Sequence, residues 1–582
     1  MASFAAALMA AAVATPVVAL LLLLRAAWVT LSCYWLTPMR IRRAMAAQGV
    51  LGPPPRPLVG NLRDVAALVA ASTADDMHSL SHDIVRRLMP HYVLWSQSYG
   101  KMFVYMYGSE PRLCMTDTAL IKEFLSSKYA HSTGKSWLQR QGTRHFIGGG
   151  LLMANGARWS HQRHVVAPAF MADKLKARHP SNTLCSSIDI LLSPPLLASS
   201  FVNLSSIYAQ GRVGHMVECT RKAVGELREA AARRRGGEVE IGEHMTRLTG
   251  DIISRTEFNT SYDTGKRIFH LLEDLQRLTA RSSRHLWIPG SQYFPSKYRR
   301  EIRRLNGELE AVLMESIRRS GEIADEGRTS AATYGRGLLA MLLSEMEKKK
   351  EDAGAGAGEF SYDAQLVIDE CKTFFFAGHE TSALLLTWTI MLLATNPTWQ
   401  DKARAEVALV CGDQPPSADH LSKLTVLQMI IQESLRLYPP ATLLPRMAFE
   451  DIELTGGVGG GGGIRLPRGI SVWIPVLAIH HDEGIWGEDA NEFRPERFAP
   501  GARRPSSTTA AAAGAARFLP FAAGPRNCVG QAYALVEAKV VLAMLLSSFR
   551  FAISDDYRHA PVNVLTLRPK HGVPVHLRPL RP

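Results

Sequence analysis

The stretch FLPFAAGPRNCVG, residues 518–530, constrains this chain more than any other. One cysteine, Cys528, lies between Gly524 and Gly530, two residues after Arg526, and the apolar run YALVEAKVVLAMLLSSF follows close behind. A free cysteine most often serves as a small buried hydrophobe. The neighbours here point to another use. Glycines let the backbone come close and aim N–H groups at the sulfur. A helix over the apolar run turns its N-terminus toward the same atom. Positive charge and hydrogen bonds favour the thiolate that metal ligation requires, and Arg526 suits a carboxylate on a cofactor.

Other chemistry-bearing motifs stand upstream. The longest predicted helix runs from about Tyr362 to Asn396, stopped by Pro397, and carries FFFAGHETSALLLTW at 374–388. Ala377 and Gly378 leave a gap where a flat ligand can approach, or else a notch for helix packing. Glu380 and Thr381 set an acid beside a hydroxyl, and such a hydroxyl can bond back to the carbonyl one turn earlier. In ESLR (433–436), Glu433 and Arg436 share one helical face between apolar flanks, which predicts a buried pair needing a further partner. Arg497 in FRPERF (493–498) offers itself. RWSHQRH (158–164) puts Trp159 and Arg163 one helical turn apart, and Arg446 in LLPRMA is an isolated cation in an apolar setting. Separated arginines and an indole suit a pair of propionates, although each alone is unremarkable.

Composition narrows the setting. The seven cysteines are scattered, odd in number and without a CxxC pair, which argues against a disulfide framework or zinc site and for a reducing compartment. The net charge of +14 predicts an anionic partner. No basic block with interleaved aromatics appears, so a membrane surface or an acidic protein fits better than nucleic acid. FAAALMAAAVATPVVALLLLL (4–24) precedes the first charge, Arg25, and is long enough to cross a bilayer. Trp28, Tyr34 and Trp35 suit the interface, and Arg40, Arg42 and Arg43 predict that the body faces the cytosol.

These features divide the chain into an anchor (1–36), a basic and Pro-rich hinge (37–62) and a catalytic domain (63–582). KMFVYMYGSEPRLCMTD (101–117) predicts a strand pair turning at Gly108-Ser109. An exposed linker is predicted over 346–360, and the low-complexity loops GGVGGGGG (456–463), read as a hairpin tip, and SSTTAAAAGAA (506–516) carry no assigned role. Residues 180–210 hold one charge, Asp189, and many serines between ordinary amphipathic helices. They read as an insertion resembling a retained intron.

Taken in order, WxxxR, AGxET, ExxR, PERF and FxxGxRxCxG resemble the motifs of the cytochrome P-450 monooxygenases, and each is matched here. The resemblance covers almost everything after the anchor except 180–210. It implies a mainly α fold with small β-sheets, preceded by an N-terminal transmembrane helix. It implies that Cys528 is the axial thiolate of haem b, and that Trp159, Arg163, Arg446 and Arg526 hold its propionates. Thr381 and Glu380 would deliver protons to molecular oxygen, and Glu433, Arg436 and Arg497 would be structural. Electrons would come from NADPH through a membrane-bound NADPH–cytochrome P-450 reductase, placing the enzyme in the endoplasmic reticulum membrane as a single-pass protein.

More finely, TLSCYWLTPMRIRR, FIGGGLLMANG, LYPPATLLPRMAFEDIEL and VWIPVLAIHHD look like the plant microsomal cytokinin trans-hydroxylases. That group hydroxylates the prenyl side chain of isopentenyladenine nucleotides to give trans-zeatin forms. By this likeness substrate lies near Gly148–Ala154, Ala441–Leu444 and Val562–Thr566. A sister hydroxylase of brassinosteroid or gibberellin shares the haem motifs and stays open as an alternative. So does a haem-thiolate isomerase or haem sensor, against which the Glu380-Thr381 pair counts.

Overall fold

The computed structural model describes residues 2–57, 59–170, 195–260, 262–282, 296–326, 337–352, 362–456, 463–501 and 516–580. The apolar N-terminal run forms helix α1 (Ala2–Leu31), which passes through a π-helical turn at Ser32–Leu36 into α2 (Thr37–Ala46). Leu20 to Leu24 all stand exposed, and this stretch is long and apolar enough to cross a membrane. The segment read as a hinge is docked. Ile41 and Met45 of α2 are buried in the body, and Gln48 exchanges hydrogen bonds with the backbone of Arg465 at 2.9 and 2.8 Å. Leu51 accepts from the Val104 N–H, and a Cβ at Gly52 would meet the Val104 carbonyl at 1.9 Å, so the chain before the prolines runs hard against a sheet.

That sheet has five strands. β1 (Met102–Tyr107) and β2 (Glu110–Met115) pair antiparallel around the Gly108-Ser109 turn, where Gly108 takes a φ of +63°. β3 (Thr133–Gly134), β4 (Leu444–Ala448) and β5 (Ser471–Ile474) complete it in the order β1-β2-β5-β4-β3, with β2 and β5 parallel. The other described strands lie in small two- and three-stranded sheets.

Helices make up the rest of the scaffold around the site. They are α3 (Gly156–Phe170), α4 (Pro195–Arg233), α5 (Ile241–Phe258), α6 (Tyr262–Ser282), α7 (Ala364–Thr395), α8 (Thr425–Leu437) and α9 (Gln531–Ser548). The Asp363 carboxylate caps α7 at the Leu366 N–H, and Asn396-Pro397 ends it, as the sequence predicts. Gly378 in α7 serves packing. The Cβ position of Gly378 is approached to 2.9 Å by Ile253 of α5, so its open side belongs to a helix contact and not to a ligand. Phe375 stacks on Phe258 of α5 with centroids 3.9 Å apart.

The linker, the glycine-run hairpin and the segment 180–210 meet the structure in different ways. The linker predicted over 346–360 is helical as far as Asp352, because MEKKKED continues the turn pattern of the helix Leu338–Asp352; residues 353–361 lie outside the described residues. Strands Ile452–Leu454 and Ile464–Leu466 pair on either side of the glycine run, whose residues 457–462 lie outside the described residues, as do 502–515. Of the segment 180–210, residues 180–194 lie outside the described residues, and 195–210 form the first part of α4 without a break before Gly211.

A buried ion pair fastens the core around α8. Glu433 and Arg436 on α8 are both fully buried, joined by two parallel hydrogen bonds of 2.7 Å. The remaining guanidinium protons go to the carbonyls of His480, Ala490 and Glu492 at 2.8, 2.6 and 3.1 Å. Glu433 also accepts from the Arg494 N–H at 3.0 Å, with Arg497 Nε 3.6 Å away. Such a pair is stable only while every partner is in place. Glu433→Ala leaves a buried cation without its counter-charge, and a loss of about 3–5 kcal/mol is expected. Urea unfolding of the detergent-solubilised protein reads this directly, and an unchanged midpoint removes the pair from the core's support.

Candidate functional site: a thiolate loop under a cation cradle

The cysteine loop is built by close backbone approaches. Gly524 has a φ of +72°, and a Cβ there would lie 1.8 Å from the Leu125 carbonyl oxygen, so no other residue fits. The Cys528 N–H donates to the Phe521 carbonyl at 2.9 Å, and the Asn527 N–H to the Gly524 carbonyl at 3.1 Å. Gly530 caps α9, so the helix N-terminus opens just behind the sulfur. The Cys528 side chain is open on one side, while protein atoms crowd the others. That burial pushes the thiol up, and the Gly530 N–H and the Arg163 guanidinium pull it down. A metal ion completing the open side would convert such a thiol to thiolate.

The loop is also held from behind. The His480 Nε2 accepts from the Leu519 N–H at 2.9 Å, which leaves the proton on Nδ1, 3.2 Å from the Arg436 carbonyl. Burial lowers His480 to about 3, so it stays a neutral connector between the Glu433–Arg436 pair and the cysteine loop. Sequence reasoning passed over this histidine. Only the string VLAIHHD hinted at it, and its two partners are distant in sequence.

Beside the loop, cations converge with no acid among the described residues at hand. Arg526 lies over the Trp159 ring, 4.2 Å from the centroid, and donates to the carbonyls of Ala130 and Ala154. Its Nη2 is buried with no hydrogen-bond partner among the described residues. Burial, with Arg446 nearby, lowers Arg526 to about 9, and burial lowers Arg446 to about 10. Lys135 joins them. Gly134 pairs with Met447 in the β3–β4 ladder, so Lys135 comes next to Arg446 in the same antiparallel register. Asn155 fixes it by bonds to its N–H and carbonyl at 2.8 and 2.9 Å. Burial and the two guanidiniums hold its ammonium well below the ordinary lysine range.

Like charges placed together in this way are destabilising unless an anion sits among them. The orphaned Arg526 Nη2 and the three depressed cations therefore fit a cofactor with two carboxylates, and the propionates of haem match that demand. Lys135 was not anticipated, since HSTGKSW gives no local signal. Arg163 stands apart from the cradle. It donates to the Asn527 carbonyl and Oδ1 at 2.7 and 2.8 Å, bracing the residue before the thiol from α3.

On α7, the Thr381 hydroxyl donates to the Ala377 carbonyl at 2.7 Å, the back-bond expected of it. Glu380, buried at 6 % exposure, faces away toward α5, α6 and a C-terminal hairpin. There Arg568 donates to its Oε1 from Nε at 2.9 Å and Nη2 at 2.6 Å, and the Thr566 hydroxyl donates to the same oxygen. The acid and the hydroxyl are thus neighbours in sequence with separate partners. Among the described residues, no group of His, Cys, Asp and Glu is placed to hold a metal ion.

The family profile described as Cytochrome P-450 matches residues 77–193 and 203–573, and the gap between them falls inside the segment 180–210. Two Arabidopsis thaliana proteins, each named Cytokinin hydroxylase, are similar to this chain. One is 51% identical over 565 residues, 97% of this chain and 98% of its own length; the other is 52% identical over 559 residues, 96% of each. Cytochrome P-450 734A4 of Oryza sativa subsp. japonica is 36% identical over 579 residues, 96% of this chain and 97% of its own length. The haem that the cradle and the open thiol call for is the group this family uses, and the chain belongs to the cytochrome P-450 family of haem-thiolate monooxygenases.

Proposed function

We propose that this enzyme hydroxylates the prenyl side chain of isopentenyladenine-type cytokinin nucleotides to their trans-zeatin forms. The observation that carries the reading is the identity of about half, over nearly the whole length, to two proteins named Cytokinin hydroxylase. The 36% identity to Cytochrome P-450 734A4 sets the contrast. NADPH–cytochrome P-450 reductase would supply electrons, and the net charge of +14 suits an acidic partner. The exposed apolar α1 supports residence in the endoplasmic reticulum membrane, with the arginines at 40, 42 and 43 holding the body on the cytosolic side.

Haem, when bound, supplies activation of dioxygen and insertion of one oxygen atom into a C–H bond. The chain's own residues set the conditions. Cys528 would give the iron a thiolate, and the Gly530 N–H and the α9 N-terminus would moderate its charge. Arg526, Arg446 and Lys135 would take the propionates, with Trp159 holding the Arg526 plane and Arg163 the loop. The Thr381 hydroxyl would turn from the Ala377 carbonyl to present a proton, and Glu380 would replace it through water.

Cys528→Ser is expected to abolish the absorbance of a reduced, CO-bound haem-thiolate; an unchanged spectrum would remove Cys528 as ligand. Thr381→Ala is expected to keep haem but release reducing equivalents as hydrogen peroxide. Product per NADPH should drop about a hundredfold, the lower end of what a positioned acid–base group contributes. Fully coupled turnover in that variant would refute the relay. For the substrate, microsomes carrying the enzyme and a plant reductase should convert isopentenyladenosine monophosphate to a product one oxygen heavier that co-elutes with the trans-zeatin nucleotide. A normal haem-thiolate spectrum without product would shift the assignment to another hormone hydroxylase.

A further inference from the structure

A second group of cations gathers where the end of α4 meets a three-stranded sheet. Strands Phe549–Ile553 and Pro574–Pro579 pair antiparallel, and Glu238–Glu240 joins the second of them. The register sets Arg550 directly opposite Arg578. Phe549, Phe551, Val575 and Leu577 are buried, so strand alternation puts both arginines on the solvent face. Like charges directly opposite one another on a sheet are destabilising.

The last two turns of α4 bring a third guanidinium to this face. A cavity of about 540 Å³ lies there, lined by Arg228, Arg550, Arg578 and His576, with no acid among its lining residues. Gly236 and Gly237 carry the chain from α4 into the sheet and line the same cavity, and their lack of side chains leaves the space open. The Arg228 Nε is buried with no hydrogen-bond partner among the described residues, and an unsatisfied buried donor is costly. The acids of the neighbouring segments are engaged. Glu229 pairs with Arg233 at 3.0 Å, and Glu238 accepts from the Ser554 hydroxyl at 2.6 Å. Asp401 is divided between Arg404 and Arg550 at 2.6 and 2.7 Å. The His576 Nδ1 lies 3.1 Å from the Gly236 carbonyl, so its remaining nitrogen alone is left for a ligand.

We propose that this cavity is a binding site for a phosphate monoester, held by Arg228, Arg550 and Arg578. Such a group carries close to two negative charges and three terminal oxygens, and guanidinium forks pair with it bidentately. A carboxylate, with one charge and two oxygens, would leave part of the positive surplus unanswered. Binding would tie the end of α4 to the C-terminal sheet. α4 packs along α9, the helix that begins at the cysteine loop, so occupation stabilises the scaffold behind the thiol. The site is separate from the cation cradle, involves no transfer of electrons or groups, and does not depend on the substrate assignment.

A soluble phosphate compound and the headgroup of phosphatidic acid share this chemistry. The experiment is phenylglyoxal modification of the full-length holoenzyme in detergent, read arginine by arginine by mass spectrometry, with chloride at matched ionic strength as the reference. Saturating inorganic phosphate should slow modification of Arg228, Arg550 and Arg578 about tenfold, the factor of one charge-assisted hydrogen bond, and leave Arg233 unchanged. Arg578→Gln alters an exposed side chain and should keep the haem-thiolate spectrum while abolishing protection of Arg228 and Arg550. Phosphatidic acid in mixed micelles, against phosphatidylcholine alone, is the second arm. Protection by the lipid and not by inorganic phosphate assigns the site to a headgroup; protection by inorganic phosphate assigns it to a soluble compound. Protection by neither overturns the site. So does protection that extends equally to Arg233, or that survives in Arg578→Gln.

Discussion

The Arg436 guanidinium is the point on which the rest of the structure hangs. It is fully buried, doubly paired with Glu433, and bonded to three carbonyls from the segment between His480 and Glu492. Removing a guanidinium from water is costly, and only the complete set of partners makes it stable. The pair therefore works by being all or nothing: α8, the segment that follows β5 and the loop before PERF either assemble together or not at all. His480 extends that demand to Leu519, nine residues before the thiol. The rigidity of the cysteine loop is thus inherited from an ion pair that hydrogen-bonds to none of its residues.

The cation cradle has the opposite logic. Lys135, Arg446 and Arg526 meet with no acid among the described residues to balance them; burial lowers all three, and neighbouring guanidiniums add to the effect on Lys135 and Arg526. The protein carries this repulsion as a built-in appetite for a dianion. Folding and cofactor capture are then linked by mass action, because whatever binds the native state alone also stabilises it.

The thiolate loop, the long helix, the buried pair and the β1–β2 hairpin were legible because their causes are local. Gly524 takes a φ of +72°, which favours glycine whatever lies nearby, and Thr381 bonds four residues back. What escaped depended on partners far along the chain. Lys135 matters only because β3 lies beside β4, and His480 only because Leu519 folds onto it. The small residues at 377–378 were ambiguous for the same reason. No local pattern says that Ile253 fills the space above Gly378. The partners of Glu380 sit 186 and 188 residues away, so the sequence announced an acid without saying what restrains it.

The docked α2 changes what the apolar N-terminal helix can transmit. Ile41 and Met45 bury one face of α2 in the body, and Gln48 is tied to the Arg465 backbone. The π-helical turn at Ser32–Leu36 is then the joint nearest the apolar span. Set in a bilayer, the helix would act as an outrigger: its tilt would become the tilt of the sheet that carries Arg446. A soluble form should accordingly be cut ahead of Thr37, since a cut after the prolines would strip a buried face from the catalytic body.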